Sequence, residues 1–166
     1  MLADTSYQTD VLVLSPRSGF VVGLGGSILA VAVVALLRGA THIHTGAALE
    51  GLARTFLPAT GSLHRSTLFA LGLTLHATVG GVFGLLYALC QQRVPVRGLV
   101  VVGIFYGFFL WVVARIVSTW VDDRASRAMI RSWPWLLGSL AFSLSLALAA
   151  VLFPRTQAVT IELPVD

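Results

Sequence analysis

The sequence predicts an all-α integral membrane protein, a four-helix bundle with a short interfacial amphipathic helix in its first loop. Three observations predict it. Composition is the first: 57% of the 166 residues are hydrophobic and 11% are charged, where a soluble domain carries about 45–50% and about 25%. Charge placement is the second: long uncharged runs separate the arginines, with 20 residues between Arg17 and Arg38, 27 between Arg65 and Arg93, 17 between Arg97 and Arg115, and 23 between Arg131 and Arg155. A spanning helix needs about 20 apolar residues. The third is a stripe of small residues along each run, which lets helices approach closely in lipid. The length fits one domain, residues 1–166. Disorder and a coiled coil are excluded by this composition, and Cys90, the single cysteine, excludes an intramolecular disulfide.

The chain begins with a tail, 1–18, in which Val11-Leu12-Val13-Leu14 is a short apolar run closed by Pro16. The first span follows at about 19–37. Asp4 and Asp10 outnumber Arg17 ahead of it, the wrong sign for a cleaved signal peptide, so the span reads as a retained helix. Gly19, Gly23 and Ser27 form its small face, with Gly25 and Gly26 beside it.

In the first loop Leu49, Leu52, Ala53, Phe56 and Leu57 fall at i, i+3, i+4, i+7 and i+8. That is one helix face. Glu50 and Arg54 lie four apart on the other, spaced to pair, and Pro58 ends the pattern. The spacing predicts an amphipathic helix at about 46–57 lying in the membrane interface.

The second span, 67–90, carries Gly72, His76, Gly80, Gly84 and Ala88, each four residues apart. The third, 98–120, carries Gly103, Gly107, Trp111 and Arg115 at the same spacing. The fourth, 133–153, carries Ser139, Ser143 and Ala147. Antiparallel neighbours are expected, with Gly80 and Gly84 facing another helix. The last tail, 154–166, alternates Val159, Ile161 and Leu163 with Thr160 and Glu162, the period of a half-buried strand. Four spans put both tails on one side, where 158–163 can pair with residues near 11–14 or with a partner's strand.

All eleven basic residues are arginine. The high isoelectric point, near 10.2, is not a nucleic-acid footprint, because the arginines form no patch. Six of them (Arg38, Arg54, Arg65, Arg124, Arg127 and Arg131) fall on the side of the 38–66 and 121–132 loops, and four (Arg17, Arg93, Arg97 and Arg155) on the side of the tails. The positive-inside rule therefore places the two loops in the cytoplasm and the tails outside it. Trp120, Trp133 and Trp135 fall at the loop face, as interfacial anchors do.

Two polar residues inside the spans need explaining, since ionisable groups in a membrane are costly. Folding the second and third spans about Val94 puts residue 76 level with about 112. Arg115 and Trp111 are then expected within a turn of Gly72 and His76. Arg115 is expected to point inward or to snorkel along Trp111 towards Trp120. His76 is expected to be neutral and to contact the third span or a cofactor. A haem or chlorophyll-type ligand is the cofactor such a histidine would hold.

The chemistry of the other candidates is thin. No Asp or Glu falls inside a span, which weakens an ion-coupled transporter. His42, His44 and His64 share one membrane face, but their spacing is unspecific and no metal is assigned to them. Ser27, Ser139 and Ser143 read as packing residues, and no catalytic set is evident.

The stretch from Leu73 to Ala88, with its His-x3-Gly-x3-Gly-x2-Tyr-Ala pattern at His76, Gly80, Gly84, Tyr87 and Ala88, resembles a family of small uncharacterised four-span bacterial inner-membrane proteins. Gly103, Tyr106, Gly107 and Trp111 match that family's third span, and the likeness covers about 19–115. It implies a bacterial inner-membrane location and no activity. Arg115 and the alternating tail stand outside the pattern. The function expected from these features is non-enzymatic: an accessory subunit that packs through its glycine faces into a larger respiratory or photosynthetic complex. The partners are then the lipid bilayer and other membrane subunits. The alternatives are a cofactor-holding subunit using His76, and a small transporter or channel.

Overall fold

The computed structural model describes residues 7–37, 45–57, 63–91, 94, 98–121, 124–153 and 155–161. The described chain runs β1 (Tyr7–Val13), α1 (Pro16–Leu36), α2 (Thr45–Phe56), α3 (Arg65–Cys90), α4 (Leu99–Val117), α5 (Arg124–Ile130), α6 (Trp133–Leu152) and β2 (Arg155–Ile161). A 3-10 turn, Ser118–Trp120, extends α4. Four helices, α1, α3, α4 with its turn, and α6, are long and apolar enough to cross a membrane. The protein is a multi-pass membrane four-helix bundle.

Local chemistry sets the ends. α1 starts three residues before the expected position because Ser15 caps it: the Ser15 hydroxyl accepts from the Ser18 amide at 3.1 Å. Pro16 occupies the first turn, where its missing N–H costs nothing. Pro16 thus opens a helix as well as ending the apolar run before it. Inside the spans the hydroxyls bond their own helix. Ser27 donates to the Leu24 carbonyl, Ser139 to that of Trp135 and Ser143 to that of Leu140. With their polar atoms satisfied, these serines behave as small packing residues.

The spanning helices pack in the order α3–α1–α6–α4. Gly80 and Gly84 of α3 lie against Gly19, Gly23 and Ser27 of α1, backbone to backbone. A methyl group built on Gly84 would overlap the Gly19 carbonyl, so only glycine allows this approach. The second face of α1 takes α6, where Gly138 meets Ala30 and Val34, and Gly26 meets Phe142. α6 in turn takes α4, with Gly103 against Ala147 and Gly107 against Ser143.

α3 and α4, joined by a short connection, barely approach each other. The reason lies in the side chains. The small faces of α3 and α4 are already spent on α1 and α6, so these two helices are left with bulky residues between them. The hairpin packing expected from folding about Val94 is therefore replaced by a cleft.

One end of the bundle is covered by α2 and α5, which pack on each other. Val34, Ala48 and Met129 form a buried cluster there, with Trp135 against it, and the Ser126 hydroxyl donates to the Ala48 carbonyl at 2.9 Å. α2 is the expected amphipathic helix, with Ala48, Leu49 and Ala53 buried. α5 lies where a plain loop was expected. Its sequence signal is Ser126, Met129 and Ile130, all buried at i, i+3 and i+4. At the other end β1 and β2 form an antiparallel ribbon with Tyr7 opposite Ile161 and Val13 opposite Arg155. The two tails pair as expected, but in another register: residues 158–161 lie opposite 7–10, and 11–13 lie opposite 155–157; the expected strand residues 162 and 163 lie outside the described residues. Leu14, fully buried, joins Ala88, Leu99, Ala149 and Ala150 beneath the ribbon.

Candidate functional site

The gap between α3 and α4 is a cavity of about 360 Å3. Leu75, His76, Val79 and Phe83 of α3 form one wall, and Leu110, Val113, Ala114 and Val117 of α4 the other. Ser27 and Ala30 of α1 and Phe142 of α6 form the floor, and Leu52, Phe56 and Ile130 close the covered end. The lining is almost wholly apolar. At the opposite end the Tyr106 hydroxyl crosses the gap and donates to the Phe83 carbonyl at 2.7 Å. The rings of Tyr87 and Tyr106 meet there at 5.2 Å.

His76 is the exception in this lining. Its ring lies 5.6 Å from that of Trp135, tilted by 59°, and it lines the cavity together with Ser27 of α1. Its Nε2 is buried and has no hydrogen-bond partner among the described residues. A buried polar atom left unpaired costs about 1–3 kcal/mol.

The depth expected for His76 against residue 112 agrees with the structure, because both walls of the cavity carry those levels. The ring contact of His76 is with Trp135 of α6, and α4 lines the same cavity. Arg115 is exposed, and its guanidinium lies over the Trp111 ring, 4.8 Å from the centroid. It does not approach His76. The snorkelling alternative, along Trp111, is the arrangement present. The Trp111 Nε1 is buried without a partner, and its ring also packs on Phe108 at 5.6 Å.

Of the expected interfacial tryptophans, Trp120 and Trp133 are exposed. Trp135 differs from them: it is half-buried and lines the cavity beside His76. It follows Pro134 in the first turn of α6. Gly72, in the same stripe as Gly80 and Gly84, packs on the Leu49 backbone of α2. Gly25 has open space around it, so only its neighbour Gly26 belongs to a seam.

Glu50 does not pair with Arg54. Arg65 takes it, with its Nε at 3.0 Å and 3.1 Å from the two carboxylate oxygens. This pair ties the polar face of α2 to the start of α3. His64 caps α3, its ring nitrogen facing the Ser66 amide and hydroxyl. His42 and His44 lie outside the described residues. No group of three metal-type ligands occurs among the described residues.

No protein-family model, curated protein or solved structure matches this chain.

Proposed function

We propose that the chain is a small non-enzymatic integral subunit that packs into a larger assembly of the bacterial inner membrane, a respiratory or photosynthetic complex being the kind of host. The observation that carries this reading is the exposure of α4. Only 17% of its most apolar stretch is buried, against 39% for α6. It is held by one spanning helix, α6. Phe105, Phe108 and Phe109 project from it, each more than half exposed, beside the cavity wall. An apolar surface of this breadth is where a further helix would pack by van der Waals contact. In this reading the arginine excess on the α2 and α5 side makes that side cytoplasmic, with the β1–β2 ribbon on the opposite face.

The test is isolation from native membranes in mild detergent, followed by mass analysis and an absorption spectrum. A stoichiometric partner that is lost on Phe105→Ser and Phe109→Ser substitution supports the subunit reading. A monomer at native expression, unchanged by those substitutions, refutes it. The second reading, His76 as a haem or chlorophyll-type ligand, draws on the unpaired Nε2. The burial of that nitrogen counts against it, since a metal would need neighbouring side chains to move. A Soret or pigment band lost in His76→Ala would favour it. The transporter reading draws little support, because the gap between α3 and α4 is lined by apolar side chains and bridged by Tyr106.

A further inference from the structure

We infer that Arg115, laid over Trp111 on the outer side of α4, holds the phosphate of an anionic phospholipid from the leaflet on the α2 and α5 side. Arg115 lies within the spanning segment Leu99–Trp120, about 8 Å short of its end at the rise of a helix. It is exposed, so its charge faces away from the bundle, and a charge without a counter-ion is costly at that depth. Its guanidinium is held in place, 4.8 Å from the centroid of the Trp111 ring. The ring attracts the cation through its face but cannot satisfy the five N–H donors of a guanidinium. Among the described residues Arg115 has no hydrogen bond and no ion pair. Glu50, the one carboxylate of that end among the described residues, is taken by Arg65.

A second guanidinium reaches the same end of α4. The Ser118 hydroxyl, one turn beyond Arg115, donates to the Arg115 carbonyl at 2.6 Å and accepts from Arg131 Nε at 3.2 Å. Arg131 is exposed too. Two cations thus meet the last turns of α4, close to the exposed Trp120, at the level where lipid headgroups begin. A phosphodiester presents two oxygens that match the guanidinium fork, and it brings the negative charge that the described residues do not supply there. A zwitterionic lipid carries its own ammonium and gains less. Ile104, Phe108, Trp111 and Arg115 follow at i, i+4, i+7 and i+11, one face of the helix. Ile104 and Phe108 are exposed, and Phe108 packs on the Trp111 ring at 5.6 Å, so the same face offers van der Waals contact to the acyl chains below the phosphate. A carboxylate of a neighbouring polypeptide would match the charge as well; the headgroup level and the apolar face continuing inward from it favour a lipid. The inference stands apart from the subunit reading, because it needs lipid and no further polypeptide.

The experiment places the full chain in nanodiscs of equal parts dioleoyl phosphatidylglycerol and dioleoyl phosphatidylcholine, and reads the lipid retained on the released protein by native mass spectrometry. Phosphatidylglycerol is expected to be retained about ten-fold over phosphatidylcholine, the worth of one charge-assisted hydrogen bond. Arg115→Gln should bring that ratio to about one. Arg115→Lys, which keeps the charge without the fork, should fall between, and Arg131→Gln should lower the ratio in part. Arg124→Gln removes an exposed arginine of α5 and should leave the ratio unchanged. Excess inorganic phosphate should not displace the lipid; displacement would assign the site to a free phosphate and overturn the lipid. Equal retention of the two lipids by the parent, an undiminished ratio in Arg115→Gln, or an equal fall in Arg124→Gln overturns the inference, the last because it describes a general attraction to the basic end. So does recovery from native membranes of a polypeptide whose association depends on Arg115 while no phosphatidylglycerol is retained, because the counter-ion is then a carboxylate of that polypeptide. Loss of the subunit reading leaves the lipid ratios unaffected, so the two proposals fail separately.

Discussion

His76 and Trp135 meet at 5.6 Å between ring centroids and so link α3 to α6, two helices that both pack on α1. The contact is a tilted aromatic pair, worth about 0.5–1.5 kcal/mol beyond its area. His76→Ala removes it. The expected loss from this contact is about 0.5–1.5 kcal/mol, measured by reversible unfolding in mixed micelles. His76→Phe should recover the ring contribution. Equal stability of His76→Ala and the parent would show that the contact holds nothing together.

The glycine seam gives a sharper prediction, because the sequence offers its own control. Gly80 lies against the Gly23 backbone and Ser27, whereas Gly25, on the lipid side of α1, has open space around it. Gly80→Leu should destabilise by about 3 kcal/mol or more, since it drives two backbones apart as overpacking does at its worst. Gly25→Leu should stay within about 0.5 kcal/mol of the parent. Thermal unfolding of the two variants side by side in one detergent decides this. Matching values would remove the seam from the account.

These two predictions mark what the sequence made legible. Arginine spacing located the spans, because a charge cannot sit comfortably in hydrocarbon. Four-residue spacing of Gly80 and Gly84 identified a packing face, because small residues have no other reason to line up there. Which helix each face met was not legible. α1 and α6 each present two small faces, and α4 presents one. The pairing α3–α1–α6–α4 follows from that inventory and not from the shortness of the α3–α4 connection. Glu50 illustrates the same limit: Arg54 has the right spacing along the helix, but Arg65 arrives from α3 with its Nε directed at both oxygens.

That ion pair should matter little. Arg65 is 73% exposed, and exposed pairs contribute about 0–1 kcal/mol. Ser126 is different, because its bond to the Ala48 carbonyl is buried where α2 meets α5. Ser126→Ala should cost about 1–2 kcal/mol, more than Arg65→Ala. Limited proteolysis of the α2–α5 face provides the comparison. Faster cleavage in Arg65→Ala than in Ser126→Ala would invert this ranking.

Tyr106 closes one end of the cleft through its bond to the Phe83 carbonyl, at 2.7 Å. That carbonyl also belongs to the α3 ladder, so Tyr106→Phe leaves it paired within the helix and loses only the bridge. Such interhelical bonds in membranes average about 0.6 kcal/mol, with a maximum near 1.7. Tyr106→Phe should therefore fold normally, with a loss within that range. Spin labels at Phe105 and Leu86, two exposed positions on the two helices, should show a wider distance distribution in the variant. An unchanged distribution would mean that α3 and α4 are held in place by α1 and α6 alone.

The ribbon yields the last prediction. β1 and β2 are far apart in sequence, and an isolated two-stranded ribbon is marginal in water. Its register places Asp10 opposite Ala158. A change of register by two residues would place Asp10 opposite Thr160 or Thr156. With Cys90 changed to Ser, the pair Asp10→Cys and Ala158→Cys should form a disulfide on mild oxidation, because directly opposed strand residues fall within the Cα separation such a bond needs, about 4.4–6.8 Å. Asp10→Cys with Thr160→Cys should oxidise several-fold more slowly, since diagonal neighbours are about 7–8 Å apart. Mobility on non-reducing gels reads both. Rapid, equal oxidation of the two pairs would describe two loose tails in collision. Selective oxidation of the first would fix both ends of the chain on one face of the membrane, with Leu14 carrying the ribbon directly into the buried end of the bundle.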